Sequence, residues 1–130
     1  MGEFIKGSVI VIPFPFSNLS AAKRRPALVL ANFTGDDILL CQITSRCPDE
    51  KYFIPLKTTD FKTSTLPVDS YIRPARIFTA DKNIILKSVG MVSNEILNKT
   101  IDNIVSINKI KIPPIIKVKL AFTFKILEKG

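Results

Sequence analysis

A chain of 130 residues, 46% hydrophobic and 23% charged, has the make-up of one globular domain rather than a disordered polymer. It contains no His, which excludes a serine or cysteine triad with a histidine base and the paired-histidine route to phosphodiester cleavage. The net charge of +8 points to a polyanionic partner, but the excess is uneven: residues 1–108 hold 13 Lys and Arg against 10 Asp and Glu, while residues 109–130 hold 6 Lys against Glu128 alone.

No apolar run approaches the ~20 residues of a membrane span, and the first residues lack a basic start followed by an apolar stretch. A cytoplasmic protein without membrane contact is therefore expected. Lys6-Gly7 precedes Ser8–Phe14, a β-branched and aromatic run that reads as a buried strand, with Pro13 and Pro15 marking its end or a sheet edge. Residues 16–23 are small, polar and without periodicity, which reads as a loop. Residues 26–33 and 38–44 are two further strands, and Thr34-Gly35-Asp36-Asp37 between them is a hairpin turn signal. Cys41 lies inside the second of these runs as a small core residue, and Cys47 falls in the loop beyond it. Two cysteines are too few for a disulfide framework and, without His, make no metal site, so no cofactor is expected.

Residues 52–57 read as a short strand carrying Pro55, and residues 58–69 as a long polar excursion. Extended structure resumes over 70–73, runs into Pro74 and continues over 76–79. After a turn at Asp81-Lys82-Asn83, residues 84–92 form a strand in which Gly90 marks a bulge or a close backbone approach. The period then changes. Over 93–107, Ile96, Leu97, Ile101, Ile104 and Val105 share one face of a helix that Ser93 can cap, with Glu95 in its first turn. Short strands roughly ten residues apart, followed by one amphipathic helix, predict a mainly β, α+β fold: a small antiparallel barrel with a packed C-terminal helix. Beyond Pro113-Pro114, Ile116, Val118, Leu120, Phe122, Phe124 and Ile126 alternate with Lys117, Lys119, Ala121, Thr123 and Lys125. Residues 109–130 are thus expected to be a basic amphipathic extension outside the domain of residues 1–108, read as an extra strand that either adds to a sheet edge or lies loosely ordered.

The cluster Lys23-Arg24-Arg25 stands at the mouth of an apolar strand, and Thr44-Ser45-Arg46 at the end of another. The plain reading of the first is a solvated pair of charges, and of Thr44 a good β-former. The sharper reading uses the chemistry of RNA cleavage. When a ribose 2′-OH attacks the adjacent phosphorus, charge grows on the non-bridging oxygens, and an Arg fork binds two of them through bonds that strengthen in the transition state. Pro26 holds Arg25 extended under either reading. Arg73 and Arg76 straddle Pro74 at another loop mouth, and Phe16, beside the loop, is the candidate for stacking on a base. The acids Asp36, Asp37, Asp49, Glu50, Asp60, Asp69 and Asp81 fall nearly all in turns, without the spacing of a two-metal nuclease.

The ordered set Gly7-Ser8-Val9, Pro13-Phe14-Pro15-Phe16, Arg25-Pro26-Ala27-Leu28-Val29-Leu30, Gln42-Ile43-Thr44-Ser45, Ser70-Tyr71-Ile72-Arg73-Pro74, Ile77-Phe78-Thr79-Ala80-Asp81-Lys82 and Val89-Gly90-Met91-Val92-Ser93 resembles the PemK/MazF family of toxin endoribonucleases, in its divergent PemK-like branch. The resemblance runs from Gly7 to about Ile107. It implies an SH3-like barrel with a C-terminal helix, a cytoplasmic homodimer, and metal-independent cleavage of single-stranded RNA at short sequences, leaving a 2′,3′-cyclic phosphate and a 5′-hydroxyl. The family's catalytic arginine matches Arg25, which would stabilise the pentavalent phosphate and share in proton transfer. Its catalytic threonine matches Thr44, which would position the phosphate or the 2′-OH. Lys23, Arg24, Ser45, Arg46 and Arg76 would then bind RNA beside Phe16, and an acidic antitoxin peptide would occupy the groove. The family often has Gly-Asp at Gly7-Ser8, glycines in the loop of residues 17–23, and Gln-Ile-Arg at Arg76-Ile77-Phe78, so the cleavage sequence does not follow from the match. Two rivals share the fold: a CcdB-like gyrase-binding toxin, which needs a C-terminal Trp that this chain lacks, and an inactive RNA- or protein-binding barrel.

Overall fold

The computed structural model describes residues 4–14 and 23–109. Seven strands make one sheet: β1 (Ser8–Phe14), β2 (Lys23–Asn32), β3 (Asp37–Thr44), β4 (Ile54–Leu56), β5 (Phe61–Ser64), β6 (Ser70–Asp81) and β7 (Lys87–Val92). Every pairing is antiparallel, in the order β4-β6-β3-β2-β1-β7-β5, and one helix, α1 (Asn94–Lys109), follows. β4 and β5 lie at opposite ends of that order, yet only a 3-10 turn at Thr58–Asp60 and its flanking Lys57 join them in the chain. Laid flat, seven strands would span ~29 Å from first to last, whereas the step from Leu56 to Phe61 reaches at most ~18 Å even fully stretched. The sheet must curl until its edges approach, and this makes the half-barrel.

The curl gives the sheet two buried faces, which is why its central strands read as near-continuous apolar runs rather than alternating ones. On one face Val9, Leu28, Leu30, Cys41, Ile43 and Ile72 pack with Ile96 and Ile104 of α1. The helix lies over β4 and β6, as its apolar stripe requires. Ser93 Oγ accepts the Ile96 N–H at 3.3 Å, so the expected cap is present. On the other face Ile10, Ile12, Ala27, Val29, Ile38 and Leu40 form a second core, against which Phe78 and Ala80 pack. Successive residues of β1 and β2 alternate between the two cores, as a two-residue period demands.

The hairpin expected between β2 and β3 is present, with Gly35 in the left-handed region at φ 87° and Phe33 N–H donating to Asp37 O at 3.0 Å. Three details differ from expectation. Residues 58–69 are not an unstructured excursion, because β5 forms there as a polar, mostly exposed edge strand held by pairing with β7 rather than by burial. The strand expected over 52–57 begins only at Ile54, since Tyr52 takes a positive φ of 70° that breaks extended geometry. The strand expected over 84–92 begins only at Lys87, after a 3-10 turn at Lys82–Ile84, whereas the extended segments on either side of Pro74 are continuous as expected, in β6, with a bulge there in place of a loop mouth. Gly90 behaves as expected: a Cβ there would run into the Thr63 carbonyl of β5, and a ladder irregularity sits beside it at Val89, between the rungs Val9–Gly90 and Ile10–Ser88. Phe16, the loop of residues 17–22 and the extension beyond Lys109 lie outside the described residues.

Candidate functional site

One end of the second core face is polar. The row of side chains that starts with Val29 and Ala27 on β2 continues into Arg25 and Lys23. On β3 the row from Leu40 continues into Gln42 and Thr44, and on β6 Phe78 is preceded by Arg76. Where the apolar rows end, a pocket of about 680 Å³ opens. Lys23, Arg24 and Arg25 of β2 form one wall, Gln42 and Thr44 of β3 the next, and the turn from Ser45 to Pro48 closes that side. Arg73 and Arg76 of β6 stand across from them.

The register explains how these residues meet. The last rung between β2 and β3 is Ala27–Gln42, and the same register carried two residues further sets Arg25 against Thr44 at the open end of the pair. β3 and β6 are in step at Cys41–Ile77 and again at Ile43–Ile72. Between those rungs Gln42 alone faces Arg73-Pro74-Ala75-Arg76, so β6 bulges and both arginines reach the pocket.

Several bonds hold the bulge and the turn. The Cys41 thiol donates to the Arg73 carbonyl at 3.1 Å, and burial pushes its pKa up to about 12, so it stays protonated and keeps the bond. Arg73 donates from Nε to Glu50 Oε1 at 2.8 Å and from Nη2 to Oε2 at 3.3 Å, a two-pronged ion pair. The hydrogen bond from Arg73 is the main reason that the Glu50 carboxyl is held below its ordinary range, and the Arg73 guanidinium is raised in return. Asn103 of α1 donates to the Tyr52 carbonyl at 2.9 Å, which ties the segment after Glu50 to the helix. Thr44 Oγ1 accepts the Arg46 N–H at 3.2 Å, so its own hydrogen remains to be donated elsewhere.

Among the described residues, Lys23, Arg24, Arg25, Arg46 and Arg76 take part in no ion pair, and no carboxylate lines the pocket. Arg25 is half-buried, whereas Lys23, Arg24 and Arg46 are exposed. Of the residues singled out from sequence, Arg25, Thr44, Lys23, Arg24, Ser45, Arg46 and Arg76 all line this pocket, and Phe16 lies outside the described residues. Gln42, Cys47 and Pro48 line it without having been nominated, and Glu50 reaches it through Arg73. The signal for Gln42 was its even spacing from Thr44 on one strand. The Glu50–Arg73 pairing left no trace in the sequence, because it spans 23 positions. No group of three or more His, Cys, Asp or Glu gathers among the described residues, and no described helix is long and apolar enough to cross a membrane.

The family model of PemK-like, MazF-like toxins of type II toxin–antitoxin systems matches residues 5–107. The chain belongs to that family. No curated protein matches the sequence closely enough to serve as a relative. Solved structures share the fold of this toxin. An endoribonuclease from a mycobacterial species, in complex with its cognate antitoxin, is 16% identical with a TM-score of 0.66 over 85% of this chain and all of that one. The MazE–MazF structure from Deinococcus radiodurans is 17% identical, with a TM-score of 0.65 over 84% of this chain and 98% of its own. MazF alone from the same organism is 18% identical, with a TM-score of 0.62 over 81% and 97%.

Proposed function

We propose that this toxin is a sequence-specific endoribonuclease that cuts single-stranded RNA, messenger RNA included, without a metal ion and so inhibits translation and growth. The observation that carries the reading is the pocket itself, where, among the described residues, Arg25 and Thr44 share walls with four further unpaired cations and no carboxylate. Such a lining attracts a phosphodiester backbone and offers no acidic ligand set for a cation. The 2′-oxygen attacks phosphorus as its proton leaves, the O2′–P bond forms, and the P–O5′ bond breaks as the departing oxygen gains a proton. The products are a 2′,3′-cyclic phosphate and a 5′-hydroxyl. Arg25 donates to the non-bridging oxygens as their charge grows. Thr44, its oxygen engaged by the Arg46 N–H, donates its hydrogen to the phosphate and fixes it for in-line attack. Lys23, Arg24, Ser45, Arg46 and Arg76 hold the flanking backbone, and Phe16 stacks on a base.

The same lining suits an acidic peptide, so a cognate antitoxin is the partner that covers the site, and a homodimer in the cytoplasm is the working form. Cleavage of a long single-stranded RNA in EDTA tests the reading. Wild type is expected to cut, and Arg25→Ala and Thr44→Ala each to cut about 10²-fold more slowly or worse. Absence of cutting by wild type, or equal cutting by Arg25→Ala, overturns it. Gyrase inhibition in place of RNA cleavage would favour a CcdB-like toxin.

A further inference from the structure

Among the described residues six cations line the pocket, and Arg73 is treated differently from the other five. Its guanidinium is clamped by both oxygens of Glu50 and its carbonyl by the Cys41 thiol, so the residue is fixed at both ends. Its charge is offset at 2.8 Å by a carboxylate, in a place where the two side chains keep only 21% and 22% of their exposure. Lys23, Arg24, Arg25, Arg46 and Arg76 have no such partner among the described residues. Unpaired cations suit a phosphate. A neutralised one gives up most of that attraction, and what it keeps is shape: a planar fork in which one Nη1 hydrogen and the second Nη2 hydrogen remain as a parallel pair of donors.

Opposite the bulge that carries Arg73 stands Gln42, on the same pocket wall as Thr44. Its amide, with donors and an acceptor in one plane, makes no hydrogen bond among the described residues. Contacts to phosphate position a nucleic acid without reading it, whereas paired donors and acceptors in one plane read a base edge. We propose that Arg73 and Gln42 form a base-reading corner that selects guanine next to the cleaved phosphate. Arg73 donates to the O6 and N7 acceptors, Gln42 completes the contact, and Glu50 is the positioning residue that holds the fork. This rests on the RNA-cleavage reading above and adds to it the base that is read.

A random-sequence single-stranded RNA pool cut by wild type, Gln42→Ala and Glu50→Gln, with the new 5′ ends sequenced, tests the corner. Wild-type cuts are expected to carry guanine at one fixed position, and that preference is expected to fall about tenfold or more in both variants. A purely structural role for Glu50 would slow cutting at all sites and leave the preference intact. Gln42→Ala removes no ion pair, so it keeps the test decisive where melting shows that Glu50→Gln is unfolded. Wild-type cuts without a fixed guanine, or an unchanged preference in Gln42→Ala or in folded Glu50→Gln, overturn the corner alone. A wild type that cuts no RNA overturns the cleavage reading along with it.

Discussion

Glu50 and Arg73 show how a single pair can serve both stability and the site. The Arg73 hydrogen bond holds the Glu50 carboxyl below its ordinary value of 4.5, so the folded state prefers the ionised form. A lowered carboxyl contributes stability that is complete above that value and fades as the pH falls from it toward the folded-state value. Glu50→Gln should therefore lower stability at neutral pH and flatten its decline in acid, as urea unfolding at a series of pH values will show. The two cysteines separate in the same way. Cys41 is fully buried with its thiol pushed up to about 12, while Cys47 is exposed in the turn. Iodoacetamide at mildly alkaline pH is expected to add once to the folded protein, at Cys47, and a second time only after unfolding.

At the scale of the elements, Gly90 has a local role that can be tested directly. The backbone of β5 passes so close that a side chain on Gly90 would strike the Thr63 carbonyl, and carbonyl groups in a ladder do not give way as side-chain ends do. Gly90→Ala is expected to cost about 1–3 kcal/mol, measured by urea unfolding, through displacement of β5. β1, β2, β3 and α1 could be read in the sequence because each buries an apolar row and the pattern records it. β5 could not, since Lys62, Thr63 and Ser64 are all exposed and only Phe61 packs inward. Arg25 and Thr44 stood out as polar residues at the ends of apolar runs. The bulge at Arg73-Pro74-Ala75-Arg76 was hidden: Pro74 signals a break, and only the rungs on either side show that the strand resumes in step with β3.

For the whole molecule, the half-barrel gathers on one rim charges that are scattered in sequence from Lys23 to Arg76. If the five unpaired cations each neutralise a phosphate, binding of single-stranded RNA should weaken on the order of a hundredfold between 50 and 200 mM salt. Fluorescence anisotropy of a labelled oligonucleotide with the Thr44→Ala variant, in place of wild type to avoid cleavage, checks the slope. A flat salt response would mean that these side chains do not track the backbone.

The bulge in β6 has a consequence of another kind. Its four residues hang between two fixed rungs, Cys41–Ile77 and Ile43–Ile72; Arg73 is tied to Glu50 and Cys41 and Pro74 is buried, whereas Ala75 and Arg76 are exposed. Ala75 and Arg76 are therefore the exchangeable part: substitutions there are expected to alter what is presented at the rim while the ladder on either side carries the fold unchanged. A scaffold organised this way can acquire new target preferences at those two positions with little loss of stability, because neither is buried and neither takes part in a ladder rung or an ion pair among the described residues.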